Sequence, residues 1–231
     1  MNICDNELVE LPDWIGHLTQ LTSITCTTNR LKTLPDSIGR LTQMTQIHLD
    51  DNQITSLPES IGECMDLEVL DLSTNQLQTL PISVGKLTQL DTLYLRENET
   101  LTSLPSNIHS MEIDGDVWTR LYPSICQFPA LKYLNITSND LTMIPDEIGN
   151  LTSLISLELF DNDLSTLPDS IGNLCNLERL DTSGNRIQEI PNSIRHLTKL
   201  KQWDAYEHEL SNKQCALIRT LLPNCEIDFE S

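Results

Sequence analysis

The side chains in this sequence whose type and spacing could support catalysis are paired carboxylates. Asp50 and Asp51 are adjacent, whereas Asp181 and Asp204 are well separated along the chain. Such pairs can act as general acid and base where a sheltered site shifts a pKa, but both pairs are predicted to face open solvent. The five histidines show no metal-ligand spacing to cysteines or carboxylates, and the sequence contains no nucleophile–histidine–acid set and no phosphate-binding glycine loop. It therefore predicts no enzyme, no metal site and no cofactor.

Recurring asparagines indicate the elements that must position these side chains. The sequence numbers of eight of them rise in steps of 23, with one step of 41: Asn6, Asn29, Asn52, Asn75, Asn98, Asn139, Asn162 and Asn185. A period of this size predicts stacked supersecondary units, none of which can bury its apolar face alone. An amide side chain can donate and accept hydrogen bonds at once. These repeat asparagines are therefore predicted to join each unit to its neighbour through backbone groups that would otherwise be unpaired.

Each repeat combines a short strand with a return segment. Ile47-His48-Leu49 alternates in polarity, as a strand with one covered face does. The preceding Asp36-Ser37-Ile38-Gly39, which follows a proline, suits a turn or a short helical segment. Because every repeat has the same order of segments, the strands are predicted to be parallel and about 4.8 Å apart. Leucines and isoleucines between the strands and the return segments are predicted to form one continuous core.

The repeated pattern LxxLPxxIGxLTxLxxLxLxxNx, seen intact in LEVLDLSTNQLQTL at residues 67–80, resembles the leucine-rich repeat in its 23-residue class. That class occurs in plant intracellular Ras-group proteins, Ras–Raf scaffold relatives, LAP proteins such as Scribble and Erbin, and bacterial proteins. The resemblance implies an α/β fold, namely a curved, horseshoe-shaped solenoid. Its parallel β-sheet would line the concave face, with turns or short helices on the convex face. The resemblance covers about residues 1–210, in about nine repeats.

One stretch departs from the repeat. Residues 109–125, HSMEIDGDVWTRLYPSI, are predicted to be an insert that leaves through the turns or the outer face, because the strand stack cannot admit it. Trp118 and Tyr122, with Arg120 between them, have the side chains favoured at binding anchors. Alternatively, the stretch is a decayed partial repeat in which Trp118 and Leu121 cover the core.

The two ends of the chain carry predictions of their own. Met1-Asn2-Ile3 is predicted to be the first strand, and a bare edge strand can pair with another chain. This start indicates either a longer natural chain or dimerisation through the edge, and without such pairing a monomer is expected. Residues 211–231 are predicted to form a terminal cap of one helix and one strand. Ser211 can cap that helix and Pro223 ends it.

Strand side chains that point away from the core are predicted to form the binding surface. The positions four, two and one residue before each repeat position hold ten acidic residues and one basic residue among 27. Three aromatic residues are predicted to stand exposed among these acids. The predicted partner-binding residues are His48, Asp71, Tyr94, Arg96, Glu158, Phe160, Asp181, Asp204 and Tyr206.

Composition narrows the class of partner. A net charge of −20 argues against nucleic acid and anionic membrane as direct ligands, and no apolar run reaches membrane-spanning length. Seven scattered cysteines, an odd number, favour a reducing, cytoplasmic compartment. The predicted function is a non-catalytic protein–protein interaction module or scaffold, with a basic segment as a fitting partner. A Ras-type small GTPase is a partner that the resemblance implies, and the alternative function is the recognition arm of a larger kinase, GTPase or ubiquitin ligase.

Overall fold

The computed structural model describes residues 1–229 of the 231-residue chain. The chain divides into a first compact unit, Met1–Ile125, and a second unit that begins at Cys126. Within each unit, short parallel strands follow one another in chain order, and a helical return segment follows most strands. The predicted parallel strands with short helical returns are therefore confirmed in both units.

The first unit contains four 3₁₀ helices, five strands and one α-helix. Its strands are β1 (Ser23–Thr25), β2 (Gln46–His48), β3 (Val69–Asp71), β4 (Thr92–Tyr94) and β5 (Ser110–Glu112). Its 3₁₀ helices are Asp13–His17, Asp36–Arg40, Glu59–Glu63 and Ile82–Lys86, and the α-helix is α1 (Gly115–Ile125). Pairing is in register at the repeat period, so that Ile47 of β2 lies beside Leu70 of β3, and both are fully buried.

The second unit repeats this arrangement and ends in a helix and a strand. Its strands are β6 (Tyr133–Asn135), β7 (Ser156–Glu158), β8 (Arg179–Asp181), β9 (Gln202–Asp204) and β10 (Glu226–Asp228). Its helices are the 3₁₀ helices Asp146–Asn150, Asp169–Asn173 and Asn192–His196, and the α-helix α2 (Asn212–Leu221). The Ser211 side chain accepts a hydrogen bond from the Gln214 backbone N–H, which confirms Ser211 as the predicted helix cap.

Proline and glycine fix the return segments, each in a different way. Pro35 lies in extended conformation immediately before the helix Asp36–Arg40, and its carbonyl oxygen accepts from the Ile38 N–H at 3.0 Å. Gly39 is required by close approach, because a Cβ there would lie 2.6 Å from the carbonyl oxygen of Ser60 in the next return segment. Stacking at this spacing therefore excludes a side chain at the glycine position, which explains why the glycine recurs.

Six of the eight repeat asparagines join successive repeats as predicted. The Asn75 amide nitrogen donates to the carbonyl oxygens of Leu49, Leu72 and Ser73 at 3.0–3.1 Å, and its oxygen accepts from the Ile54 N–H at 2.8 Å. Leu49 and Ile54 belong to the preceding repeat, so one side chain satisfies backbone groups in two repeats. The same set of bonds recurs at Asn29, Asn52, Asn98, Asn162 and Asn185.

The prediction that residues 109–125 leave the strand stack is wrong. Residues 110–112 form β5, which pairs in parallel with β4 so that Tyr94 lies beside Glu112. Asp116 then occupies the repeat position, which divides the long interval of 41 into steps of 18 and 23. The stretch is a shortened repeat, and the insert disappears because α1 takes the place of a 3₁₀ return segment.

The aromatic and basic residues of this stretch serve the fold. Trp118 is 2% exposed and Leu121 5%, so the alternative of a partial repeat that covers the core is confirmed. The Arg120 guanidinium donates to the backbone carbonyl oxygens of Asn98 (3.0 Å) and Glu99, where the chain turns after β4. Arg120 therefore satisfies carbonyl groups of the preceding repeat and is not a free binding anchor.

The prediction of a full first strand at Met1-Asn2-Ile3 is wrong in extent. Asn2 alone forms a parallel bridge, with Thr25. The Thr25 N–H donates to the Met1 carbonyl at 2.8 Å, and the Ile3 N–H donates to the Thr25 carbonyl at 2.9 Å. These bonds extend the first sheet by one bridge beyond β1 and not by a strand.

His208 takes the repeat position that follows Asn185, and its hydrogen bonds define its tautomer. Trp203 Nε1–H, which can only donate, lies 3.0 Å from Thr182 Oγ1, and that hydroxyl lies 3.0 Å from His208 Nε2. The Asn185 carbonyl oxygen, which can only accept, lies 3.4 Å from His208 Nδ1, so in the neutral ring Nδ1 carries the proton and Nε2 accepts from the Thr182 hydroxyl. Burial lowers the pKa of His208 below its ordinary 6.5, although the Asn185 carbonyl and Asp181 oppose the shift.

We expect His208 to make stability depend on pH on the acidic side of 6.5. Because its folded pKa is lowered, the unfolded chain binds the proton first, so stability is full above about pH 6.5 and falls as the pH drops through the folded value. His208→Asn should reduce this dependence. Urea unfolding at about pH 8 and about pH 5 measures the slope, and the exposed-residue control His196→Asn should retain it. An equal slope in His208→Asn and the native chain would contradict the assignment.

Candidate protein-binding surface

Strand alternation defines a surface opposite the core in each unit. In β3 and β8 the central residue is buried and its two neighbours are not, as the period of two requires. Residues six, four and two positions before each repeat position therefore share one side of the sheet. We call this surface the sheet face, and it holds all nine predicted partner-binding residues.

The sheet face of the second unit carries a row of carboxylates. Parallel pairing places Glu158 beside Asp181, Asp181 beside Asp204, and Asp204 beside Asp228. Neighbouring parallel strands lie about 4.8 Å apart, so these four acids follow one another at roughly that spacing. We call them the acidic row. The predicted residues Glu158, Asp181 and Asp204 are thus brought together, with Asp228 added to them.

Several neighbours orient the carboxylates of the acidic row. The Asp181 carboxylate accepts from the Ser183 backbone N–H at 2.9 Å. The Asp204 carboxylate pairs with the Arg179 guanidinium at 3.5 Å and accepts from the Gln202 side chain at 3.0 Å. Arg179 is about half exposed, so the single ion pair neutralises part of the row and leaves its overall sign negative.

Two predicted aromatic residues form a pair beside the acidic row. The rings of Phe160 and Tyr206 have centroids 6.5 Å apart and planes inclined at 50°. Strand β8 lies between the two rings in sequence and is followed by Ser183 and Gly184. Ser183 is fully buried, and a Cβ added at Gly184 would lie 3.4 Å from the Phe160 ring. Both rings are half-buried and not fully exposed as predicted, because they lean towards each other over these small residues.

The sheet face of the first unit carries a different set. Register places His48 beside Asp71, Asp71 beside Tyr94, and Tyr94 beside Glu112. Arg96 Nη1 lies 3.6 Å from the Glu112 carboxylate. The basic residue predicted for partner binding is therefore already paired, with an acid that belongs to the strand the sequence did not predict.

Burial and neighbouring charge alter the protonation of two of these side chains. Burial raises the pKa of Tyr94, and the carboxylates of Glu112 and Asp71 raise it further. Burial is also the main cause that raises the pKa of Asp71, while hydrogen bonds from Ser73 oppose it. Tyr94 is therefore a neutral phenol at physiological pH, with acids on both sides.

Four residues of the sheet face were missed from the sequence. Asp228 lies on the terminal strand β10, Glu112 lies on the unpredicted strand β5, and Tyr133 and Arg179 lie six positions before a repeat position. Tyr133 and Arg179 could have been found, because alternation places residues six and four positions before the repeat asparagine on the same side. The predicted surface comprised only positions four, two and one before the repeat position, and it therefore lacked this base and this aromatic residue.

Burial disfavours thiol chemistry at four of the seven cysteines. All seven cysteines are free, and burial raises the pKa of Cys26 and Cys126 to about 12 and those of Cys64 and Cys225 to about 11. Thiols with raised pKa values are poor nucleophiles and metal ligands at neutral pH. Between residues 1 and 229, no helix is long and apolar enough to cross a membrane.

Family comparison agrees with the repeat structure. Residues 121–221 match a family described as a leucine-rich repeat region, and residues 42–99 match one described as a leucine rich repeat. Together the two matches cover more than half of the chain. Neither description distinguishes the 23-residue class, which stays a prediction. No curated protein sequence is significantly similar to the chain.

Solved structures show the same fold. A leucine-rich repeat protein of Leptospira interrogans is 30% identical, with a TM-score of 0.64 over 99% of this chain and 60% of its own. Toll, in the Drosophila Toll–Spätzle complex, is 21% identical, with a TM-score of 0.67 over 97% of this chain and 32% of its own. The leucine-rich repeat domain of the type III effector XopL is 24% identical, with a TM-score of 0.57 over 94% of this chain and 80% of its own. The chain thus spans 60% of the length of the Leptospira protein.

Proposed function

The chain belongs to the leucine-rich repeat family, and on that premise we propose that it is a non-catalytic protein-interaction module that binds a basic segment of a partner protein on its sheet face. The observation that carries the proposal is the Phe160–Tyr206 ring pair beside the acidic row of the second unit. Aromatic residues dominate binding energy at protein interfaces, and carboxylates select the charge of the partner.

The spacing of rings and carboxylates suits lysine or arginine side chains. Phe160 follows Glu158, the last residue of β7, by two residues, and Tyr206 follows Asp204, the last residue of β9, by two residues. At about 3.3 Å per residue of extended chain, the backbone positions of each ring and its carboxylate are roughly 7 Å apart. An arginine or lysine can lay its stem against a ring while its charged end reaches the carboxylate. The ring contact and the ionic contact with the carboxylate can therefore be made by the same side chain of the partner.

The first unit offers a second patch of the same kind, which we include in the proposed surface. Tyr94 is flanked in register by Asp71 and Glu112. His48 lies beside Asp71, and the paired Arg96 limits how much negative charge this patch presents. The proposed contribution of the first unit is accordingly smaller than that of the second, and a single substitution at Tyr94 measures it.

We further propose domain bounds, a cellular location and a candidate partner. We place the leucine-rich repeats at about residues 1–210, with 211–231 as a terminal cap, which the capped helix α2 and strand β10 support. We also place the protein in the cytoplasm, and its seven free cysteines support this location. A Ras-type small GTPase is, on family resemblance alone, one candidate partner.

Phe160→Ala/Tyr206→Ala is expected to weaken binding of a basic peptide strongly. The probe is a fluorescent eight-residue peptide of alternating arginine and alanine, compared with its glutamate counterpart by anisotropy. The native chain should bind the arginine peptide, and binding should weaken as salt is raised. Loss of both rings should weaken binding at least tenfold, since a desolvated cation–ring contact contributes about 2 kcal/mol. Capture of proteins from cytosol is then repeated with the same variant and with Tyr94→Ala.

Met143→Ala is the matched control, because Met143 is an apolar side chain of the same unit that is 67% exposed and lies away from the strands. It should bind the arginine peptide as the native chain does. Melting curves of all variants show whether a loss of binding reflects unfolding. Equal binding of the arginine and glutamate peptides, or unchanged binding in the double variant, would sink the proposal.

A further inference from the structure

Three potential metal ligands converge on the sheet face of the first unit. One ligand atom from each of His48, Asp50 and Asp71 lies within 4.8 Å of the other two. His48 is the last residue of β2 and Asp50 follows it by two residues, so alternation directs both to the same side, and register places Asp71 of β3 directly beside His48. The sequence predicted no metal-ligand spacing for histidine, and the two neighbouring strands supply it.

Existing hydrogen bonds orient both carboxylates of this group. The Thr27 hydroxyl donates to Asp50 Oδ1 at 2.9 Å, and the Ser73 backbone N–H donates to Asp71 Oδ1 at 3.0 Å. The Ser73 hydroxyl also hydrogen-bonds to Asp71. A carboxylate has about four lone-pair sites, so these bonds leave acceptor capacity for a further ligand. Outer partners of this kind fix the orientation of metal ligands in known sites. β2 and β3 hold the backbone of His48 and Asp71, and the Asp50 carbonyl oxygen accepts from the Thr28 N–H at 3.1 Å, so the group is preorganised.

The electrostatic balance of the group favours a cation. Two half-buried carboxylates, those of Asp50 and Asp71, face the His48 imidazole. A divalent ion would compensate the two charges at the point where they converge. Each of the three side chains keeps part of its surface accessible, so an ion can enter from solvent.

We propose that His48, Asp50 and Asp71 bind one divalent first-row transition-metal ion, with zinc as the commonest candidate. One imidazole nitrogen and two carboxylate oxygens form a donor set that suits zinc, whereas calcium takes six to eight oxygens and magnesium near-ideal octahedral oxygen geometry. Three protein ligands leave a coordination position open towards the sheet face. A donor side chain of a bound protein can occupy that position.

This inference does not depend on the proposed peptide binding, because the chain alone supplies the three ligands. Its test therefore uses free protein and the ion alone. Calorimetric titration with zinc chloride should show one site per chain in the native protein. Cobalt(II) chloride, titrated in the same way, should give a visible absorption band that reports nitrogen and oxygen coordination.

His48→Gln and Asp71→Asn should each weaken zinc binding beyond the roughly 10–100-fold that loss of an outer-shell partner typically costs. Asp71→Asn retains an oxygen for the Ser73 N–H, so the backbone turn is preserved while the ionic ligand is lost. Far-UV circular dichroism checks that the fold is retained. The Phe160→Ala/Tyr206→Ala variant should bind zinc as the native chain does, which separates this site from the peptide surface.

Two matched controls separate this site from other zinc-binding groups. His196→Gln removes an exposed histidine elsewhere, and Asp181→Asn removes the equivalent carboxylate of the second unit, whose oxygen accepts from Ser183 as that of Asp71 does from Ser73. Both should retain native zinc affinity and the cobalt band. Absence of a zinc site in the native chain, or native affinity in His48→Gln and Asp71→Asn, would overturn the proposal.

Discussion

Asn75→Ala is expected to lower the free energy of unfolding by about 3–5 kcal/mol. The side chain is 7% exposed and makes four hydrogen bonds to backbone groups. Alanine would leave the buried Ile54 N–H and the Leu49 and Leu72 carbonyls without these partners, and an unsatisfied buried group costs about 1–3 kcal/mol. Some relaxation is expected, which is why the sum is not larger. Because two repeats lose bonds, the effect should spread to the stability of the neighbouring interface.

Urea unfolding followed by circular dichroism measures this loss. Asn6→Ala is the position-matched control, since Asn6 occupies the same repeat position but is exposed, and its effect should be below about 1 kcal/mol. Asn75→Asp keeps an acceptor for the Ile54 N–H but places a buried carboxylate oxygen against the carbonyl oxygens that the amide donates to, so it should destabilise at least as much as Asn75→Ala. If Asn75→Ala unfolded at the same urea concentration as the native chain, the side-chain bonds would not be what joins the repeats.

The fold was predictable because the same residue pattern recurs in successive repeats. Most return segments place a proline, an isoleucine and a glycine at the same spacing, and each predicted strand places its buried apolar residue at the same distance from the next repeat position. An assignment that is ambiguous for one segment becomes definite when several copies must share it. The bonds of Asn75 and the close approach at Gly39 are local consequences of that shared geometry.

The shortened repeat was not predictable from the asparagine period alone. Asp116 replaces the repeat asparagine, and the preceding step is 18 instead of 23. The strand pattern itself was present, because Met111 and Ile113 lie five and three positions before Asp116, as Leu93 and Leu95 do before Asn98. A search on apolar spacing, without requiring the asparagine, would have found β5 and with it Glu112.

Some features of the candidate surface follow from the repeat period, and others depend on side-chain packing. The membership of the acidic row follows from repeat position, and so does the contact between His48 and Asp71, since they are separated by one repeat period. Two features depend on side-chain packing that the period does not encode. The Phe160–Tyr206 pair forms because Ser183 and Gly184 are small, and Arg96 is neutralised because Glu112 happens to lie beside Tyr94.

Trp118→Ala is expected to destabilise the chain by about 3–5 kcal/mol, as loss of a buried tryptophan typically does. Its ring is 2% exposed, with its centroid 5.9 Å from that of Tyr122, so alanine would leave a large cavity between α1 and the sheet. Trp14→Ala is the control, because Trp14 is 57% exposed and should cost less than about 1 kcal/mol. Thermal and urea unfolding measure both changes, and arginine-peptide binding is measured below the unfolding transition, where it should be native in each variant. Lost binding with unchanged stability in Trp118→Ala would instead establish this residue as an anchor, because a side chain that fills the core cannot be removed without a loss of stability.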